Sequence, residues 1–440
     1  MNERNENMST TPTVSRVLSG GKIIELVRPE DAAHTLFAVR TEGKCELVKE
    51  VRLETGDVLV PVSTKNNLIR HRVVLLPEKP EPYGSPANLV KEIQAYLYRY
   101  VDLSDSFRAI ASYYVLLSWV YDAFNELPYL RFRGELGSGK TRALKVIGSI
   151  TYKPFFASGA STVSPIFHIL DTFQGTFIFD EADFRFSDEK AELVKIFNNG
   201  NAKGFPVLRS TMTAKREFDP RAFHVFGPKI VAMRHSFADH ALESRFLTEE
   251  MGQRSLRKDI PINLPNVQED EARTLRNKLL MYRFENLPRI RINDTLVDPS
   301  LSPRLNQILV PLLSVVDDEH LRKELRSSIK TLERSLYAAR SATTEGQMLE
   351  LLAKLLKNST RPHISVSEIA AAFHAKYGTE HERPITNRYV GGILRERLHL
   401  VTYKSHGVYV LHKSEEGKVA ELCRRFGVSS SSSSSVSVTI

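Results

Sequence analysis

The stretch YLRFRGELGSGKTRAL, from Tyr129 to Leu144, constrains this chain more than any other. An apolar-alternating run, a glycine-rich loop and a run opening with Arg142, Ala143 and Leu144 predict strand, loop and helix in direct succession. Gly134, Glu135, Leu136, Gly137, Ser138, Gly139, Lys140 and Thr141 fit the P-loop pattern, with Arg142 next in the helix. Glycines let backbone N–H groups turn onto phosphate oxygens, and the helix N-terminus adds positive dipole character at the same place. Lys140 is expected on the β- and γ-phosphates of ATP, and Thr141 on a magnesium ion. A glycine turn could serve packing alone, but the complete pattern favours a nucleotide.

About forty residues on, GTFIFDE (Gly175 to Glu181) reads as a buried parallel strand that delivers acids at its carboxyl edge. Asp180 is expected to hold the magnesium and Glu181 to polarise the attacking water. The letters from Asp180 to Asp183 spell DEAD, but no second P-loop or RNA-helicase motif set is present, so that reading is rejected. A helix over 190–199 and two strands, 205–210 and 216–225, come next. Lys203, Arg209 and Lys215 lie on or beside this hairpin, where they could touch nucleic-acid phosphates or form a solvated basic face. Another buried strand, Gly227 to Met233, ends at Arg234 and His235, the place for a residue that senses the γ-phosphate. Arg245, in Glu243-Ser-Arg-Phe246, fits an arginine finger acting across a subunit boundary, with a surface salt bridge as the plain alternative.

Around this core the chain divides by pattern. Residues 13–76 give short β-type runs (KIIELV, TLFAVR, CELVKEV, DVLVPV, LIRHRVVLL) between turn clusters, which predicts a small antiparallel module. A proline-rich linker, PEKPEPYGSP, opens the ATPase region, 77–260. Tyr96, Tyr100, Tyr113, Tyr114, Trp119 and Tyr121 recur at helical spacing and are expected in the core. A helical lid is expected over 261–340. Over 341–412, helices 342–358 and 366–376, a third from Asn387 to Leu398 capped by Thr386, and two strands around Ser405-His-Gly407 predict a winged helix-turn-helix. Arg388, Lys404 and His406 are its candidate DNA contacts; protein contact is the alternative. Residues 426–440, with seven consecutive serines, read as a flexible tail.

A net charge of +9 over 440 residues favours a polyanionic partner. Two cysteines far apart argue against a disulfide framework or zinc module, and no 18-residue apolar run suggests a membrane span, so a soluble, cytoplasmic protein is expected.

GELGSGKT, the strand ending Asp180-Glu181, the strand ending near Arg234 and Ser244-Arg245-Phe246 together resemble an AAA+ ATPase. Their order resembles minichromosome-maintenance-type replicative helicases and their relatives in phages, plasmids and other mobile elements. FNNGNAKG (197–204) with FGPK (226–229) is similar to an AAA+-like domain of primase and helicase proteins from such elements. The resemblance implies an α/β parallel-sheet core, a hexameric ring, ATP with magnesium at each subunit junction, DNA through the centre and a role in replication, with primase or other replication proteins as partners. It also implies a second sensor arginine at the start of a lid helix, which matches Arg304 in preference to Arg276. The usual sensor asparagine is replaced by Arg234 or His235. Two alternatives stay open: an ATPase that loads or remodels replication proteins, and a nucleotide-gated DNA-binding protein.

Overall fold

In the computed structural model, residues 10–18, 21–30, 32–180, 188–212, 218–237, 239–316, 318–380 and 385–428 are described. They divide into two units, Met1–Ile329 and Lys330–Ile440.

The first unit begins with strands β1 (Thr10–Thr13), β2 (Ser15–Val17), β3 (Ile23–Val27), β4 (Leu36–Thr41), β5 (Lys44–Val48), β6 (Val51–Arg52) and β7 (Val58–Pro61). They form two sheets, β2-β3-β4-β5 and β1-β7-β6. Four of the five expected runs are strands. The β1–β7 pair is parallel, against the antiparallel expectation. LIRHRVVLL is not a strand: Asn66 Oδ1 accepts from the N–H of Leu68 at 2.9 Å and caps the short helix α1 (Asn67–Arg70).

The module shares one apolar core with the central sheet and its helices. Ile24, Leu26 and Phe37 belong to the same buried cluster as Phe155, Phe177 and Phe197. Buried charges reinforce the join. Glu25 of β3 accepts from Arg283 Nε (2.7 Å) and pairs with Lys153 Nζ (2.8 Å), while Arg283 also holds Asp122 at 2.7 Å. Such a cluster tolerates burial only when every charge has a partner.

Helices α2 (Pro86–Tyr100) and α3 (Asp105–Trp119) start at Ser85 and Ser104, whose side chains cap Asn88 and Phe107. The six aromatic residues of the stripe are buried, as expected. Their polar tips are satisfied: Tyr114 donates to Lys229 O (2.9 Å) and Trp119 to Ile150 O (3.0 Å).

The central sheet consists of β8 (Tyr129–Arg133), β9 (Phe155–Ser158), β10 (Phe177–Asp180), β13 (Lys229–Met233) and β14 (Phe246–Glu250), all parallel, in the order β14-β8-β13-β10-β9. Helices α4 (Lys140–Gly148), α5 (Val163–Phe173) and α6 (Asp188–Asn199) connect them. Strands β11 (Val207–Met212) and β12 (Phe218–Phe223) form a separate two-stranded hairpin between α6 and β13. Sequence reading missed β14. Its Glu249 and Glu250 obscure the apolar signal, yet its Phe246 and Leu247 are buried. After α7 (His240–Glu243), the helical region holds α8 (Val267–Asn286) and α9 (Pro303–Ser314), and α10 (Glu319–Ser341) leads into the second unit.

That unit contains α11 (Thr344–Asn358), β15 (His363–Ser365), α12 (Val366–Tyr377), α13 (Asn387–Gly392), β16 (Thr402–Ser405), β17 (Val408–His412) and α14 (Glu416–Phe426). The strands form an antiparallel sheet, β15-β17-β16. The capping box is present: Ser365 Oγ accepts from Glu368 N (3.1 Å) and Glu368 Oε2 from Ser365 N (2.9 Å). The helix expected over 387–398 widens into a π turn at Ile393–Arg397. Helix α14 was not anticipated; its Val419, Leu422 and Cys423 close the core against α11 and α12. Both cysteines are free thiols. The serine run lies outside the described residues.

Candidate nucleotide site

β8 ends where its neighbour β13 also ends, and the loop leaves the carboxyl edge of the sheet, the place where parallel α/β folds bind ligands. Three glycines make the turn possible, with φ of 157° at Gly134, 79° at Gly137 and 92° at Gly139. A β-carbon on Gly134 would meet the carbonyl of Met251 at 2.5 Å, so only glycine fits. Gly139 caps α4 without a side-chain hydrogen bond. The helix therefore presents backbone donors at the loop, as a phosphate site requires.

Lys140 curls over this loop. Its Nζ donates to Gly134 O and Glu135 O, both at 2.6 Å. Thr141 Oγ1 donates to Asp180 Oδ2 at 2.7 Å. The hydroxyl and carboxylate expected to share a magnesium ion thus meet across the loop. Both are hard oxygen donors, and the set suits that ion. Among the described residues no group of three or more His, Cys, Asp or Glu is placed to hold a metal. Glu181 lies outside the described residues.

Arg234 and His235 follow the end of β13 and are exposed; Gly134 N donates to Met233 O at 3.3 Å, so they stand beside the loop. Arg142 is turned elsewhere. Its guanidinium donates to Pro261 O (2.7 Å) and to Ile262 O, tying the segment after β14 to α4. The first helical turn points it sideways, where main-chain carbonyls satisfy it. Together with Tyr100, Val101, Met251 and Ile260, it encloses a cavity of about 240 Å³ adjoining Gly137 to Gly139. Sequence reading missed this cavity. Its walls come from three distant stretches, and the only local signal was Gly252 (φ 82°) after an unrecognised strand.

The opposite edge of the sheet collects different groups. Arg245 precedes β14, and its carbonyl accepts from Tyr129 N at the start of β8. Its guanidinium donates to Asn198 Oδ1 (2.7 Å) and Phe197 O (3.2 Å). Burial lowers its pKa, and neighbouring Arg304 acts in the same direction. Arg304, half-buried at the first turn of α9, also acts on Glu126 beside the start of β8. Both arginines therefore stand at the edge away from Lys140 of the same chain. Arg276 is buried and donates to Ser149 O (2.7 Å) beyond the far end of α4, so it serves packing.

Two of the hairpin cations contact the body of the unit. Lys203 Nζ donates to Asp122 O (2.7 Å), and burial lowers its pKa. Arg209 lies 4.7 Å over the Phe167 ring and 4.0 Å from Glu192. Lys203 precedes β11 and remains exposed apart from its contact with Asp122, and Arg209 on β11 is half-buried. Lys215 lies outside the described residues. In the second unit, Arg388, Lys404 and His406 are exposed, His406 at φ 50° on the turn between β16 and β17.

No family model matches the chain, and no curated relative does. Among solved structures it is similar to the NrS-1 C terminal region, with 11% identity over 88% of this chain and 96% of that one, at a TM-score of 0.37. A full-length MCM homolog from Methanopyrus kandleri is similar at 10% identity over 70% of this chain and 73% of that one, with a TM-score of 0.33. The Aeropyrum pernix ORC1 protein, solved in complex with DNA, is similar at 14% identity over 76% of this chain and 96% of that one, with a TM-score of 0.21. At these identities and TM-scores the likenesses carry no functional argument, and the chemistry rests on the site itself. Among the described residues no helix is long and apolar enough to cross a membrane.

Proposed function

We propose that this chain is an AAA+-type ATPase that works on DNA as a homo-oligomer, each active site being completed by a neighbouring subunit. One observation carries the reading: Lys140, Thr141 and Asp180 converge at one edge of the sheet, while Arg245 and Arg304 stand at the other. In this reading Lys140 leaves its carbonyl partners for the β- and γ-phosphates, and backbone donors at the start of α4 hold the remaining oxygens. Thr141 and Asp180 would hold magnesium, which would supply positive charge against the phosphates. Glu181 orients the water, and Arg234 or His235 follows the γ-phosphate. The cavity beside Gly137 takes the base. Arg245 of one subunit, with Arg304 beside it, stabilises transition-state charge on the next subunit's nucleotide.

A hexameric ring engaged in replication is the assembly this arrangement suits best. The second unit is read as a winged helix, with α13 toward a DNA groove and the β16–β17 hairpin as the wing; Arg388, Lys404 and His406 contact DNA there. Lys203 and Arg209 would steady the other hairpin through their contacts with Asp122 and Phe167. Unwinding is preferred to loading or remodelling, and displacement of a forked strand with and without ATP separates the two.

The test of the shared site is subunit mixing. Lys140→Ala and Arg245→Ala proteins, each inactive alone, regain part of the ATP turnover when combined, because some junctions then pair an intact loop with an intact arginine. Full turnover by Arg245→Ala alone, or by a monomer, overturns the reading.

A further inference from the structure

The β16–β17 hairpin has two unlike faces, fixed by its register. Directly opposed residues share a face, so the pairs Thr402↔Leu411 and Lys404↔Tyr409 lie on one side, and Tyr403↔Val410 and Ser405↔Val408 on the other. The first side is continuous with the helix before it. Arg395, carried by the π turn, donates to Thr402 Oγ1 at 3.3 Å and lies 5.2 Å over the Tyr409 ring. A β-carbon at position 391 would come within 3.1 Å of that guanidinium, so Gly391 gives it room. Lys404 stands opposite Tyr409, which makes this side cationic and aromatic.

The reverse side is apolar: Val410 on it is buried, and the apolar residues beside it stay exposed. Val401 is 62% exposed, Tyr403 41% and Val408 50%. Residue alternation places Tyr403 and Val408 on the face away from Arg395, and Val401 immediately precedes the strand. Backbone contact with an intact duplex makes no use of them, since phosphates take cations and hydrogen-bond donors. Three side chains also fall far short of the roughly 1,000 Å² that a stable protein interface buries. They do match one nucleobase face or the end of an opened base pair, which every base offers to an aromatic or apolar neighbour.

We propose that this hairpin binds DNA at a junction between paired and unpaired strands. Arg395 and Lys404 hold a backbone on one side, and Val401, Tyr403 and Val408 pack against an unstacked base on the other. The inference rests on the second unit's being a DNA-binding winged helix and specifies the DNA structure recognised.

Full-length protein is titrated by fluorescence anisotropy onto three DNAs of equal length: a fork, a single strand, and a duplex closed at both ends by loops. A 2-aminopurine at the junction reports stacking. The wild type is expected to bind the fork about tenfold more tightly than the closed duplex, with quenching of the probe. Tyr403→Ala/Val408→Ala loses that preference and the quenching, whereas Tyr403→Phe retains both. Lys404→Ala weakens binding to all three DNAs and lowers the salt slope by about one phosphate. Equal wild-type affinity for fork and closed duplex overturns the proposal, as does an undiminished preference in the double variant. A double variant that instead loses self-association assigns the face to a protein. Absence of DNA binding by the wild type removes the DNA reading as well, while leaving the shared ATP site to its own test.

Discussion

The two edges of the central sheet differ in kind. At the carboxyl edge, a lysine, a hydroxyl and a carboxylate on tight turns gather within hydrogen-bond reach: Lys140 on loop carbonyls at 2.6 Å, Thr141 on Asp180 at 2.7 Å. At the amino edge, long cations approach the starts of the same strands, Arg245 held by α6 and Arg304 by the first turn of α9. A strand such as β8 cannot bring its two ends together, so no motion of side chains joins these groups within one chain. Under the proposed reading, the triphosphate site and the cations that would serve its transition state are kept apart, and assembly becomes a condition of turnover.

Four experiments test this contrast, beginning with the largest effect. Lys140→Ala removes the phosphate contact, and both nucleotide binding and hydrolysis are expected to vanish in calorimetry and phosphate release. Arg245→Ala damages only the opposite edge: kcat is expected to fall about 10³-fold or more, with nucleotide affinity close to that of the parent. Loss of affinity instead would show the arginine holding its own chain together through Asn198. Glu25→Ala touches neither edge. It strands Lys153 and Arg283 in the interior and is expected to cost about 3–5 kcal/mol in denaturant unfolding of the first unit.

The smallest effect lies in the second unit. Hydrogen bonds from Lys354, then Lys376 and Tyr377, lower the Glu350 pKa to about 2 from an ordinary 4.5. A carboxyl whose folded pKa is depressed stabilises above its unfolded value and loses that contribution as pH falls toward the folded one. Thermal unfolding of this unit is expected to weaken between pH 4.5 and about 2, and Glu350→Gln to flatten that dependence. Because the Glu350 side chain is 33% exposed, solvent screening keeps the change small. First-unit unfolding serves as the internal reference.

Legibility in the sequence followed locality. GELGSGKT could be read because its loop, lysine and threonine act within one turn, and the strand ending at Asp180 because its apolar run is unbroken. Strand β14 was hidden because its Glu249 is satisfied by Ser104, donating from N at 2.7 Å and Oγ at 2.8 Å, a partner 145 residues away. The cavity beside Gly137 was hidden for a similar reason, since α2, the glycine-rich loop and the 251–262 segment meet only after folding. Lys203 and Arg209 looked like free surface cations, yet Asp122 and Phe167 hold them.

The sequence alone determined the glycine-rich loop, the acid that ends β10, the succession of core elements from β8 to β13, and the capped helices of the second unit. Each depends on neighbours a few residues apart, through turn geometry, capping and periodic burial. Tertiary structure decided the rest: the order β14-β8-β13-β10-β9, the sideways turn of Arg142, the pairing of Arg245 with Arg304 away from Lys140, and the two faces of the β16–β17 hairpin. Those depend on which distant partner satisfies each buried charge and on register across strands, and neither is written in any local stretch of the chain.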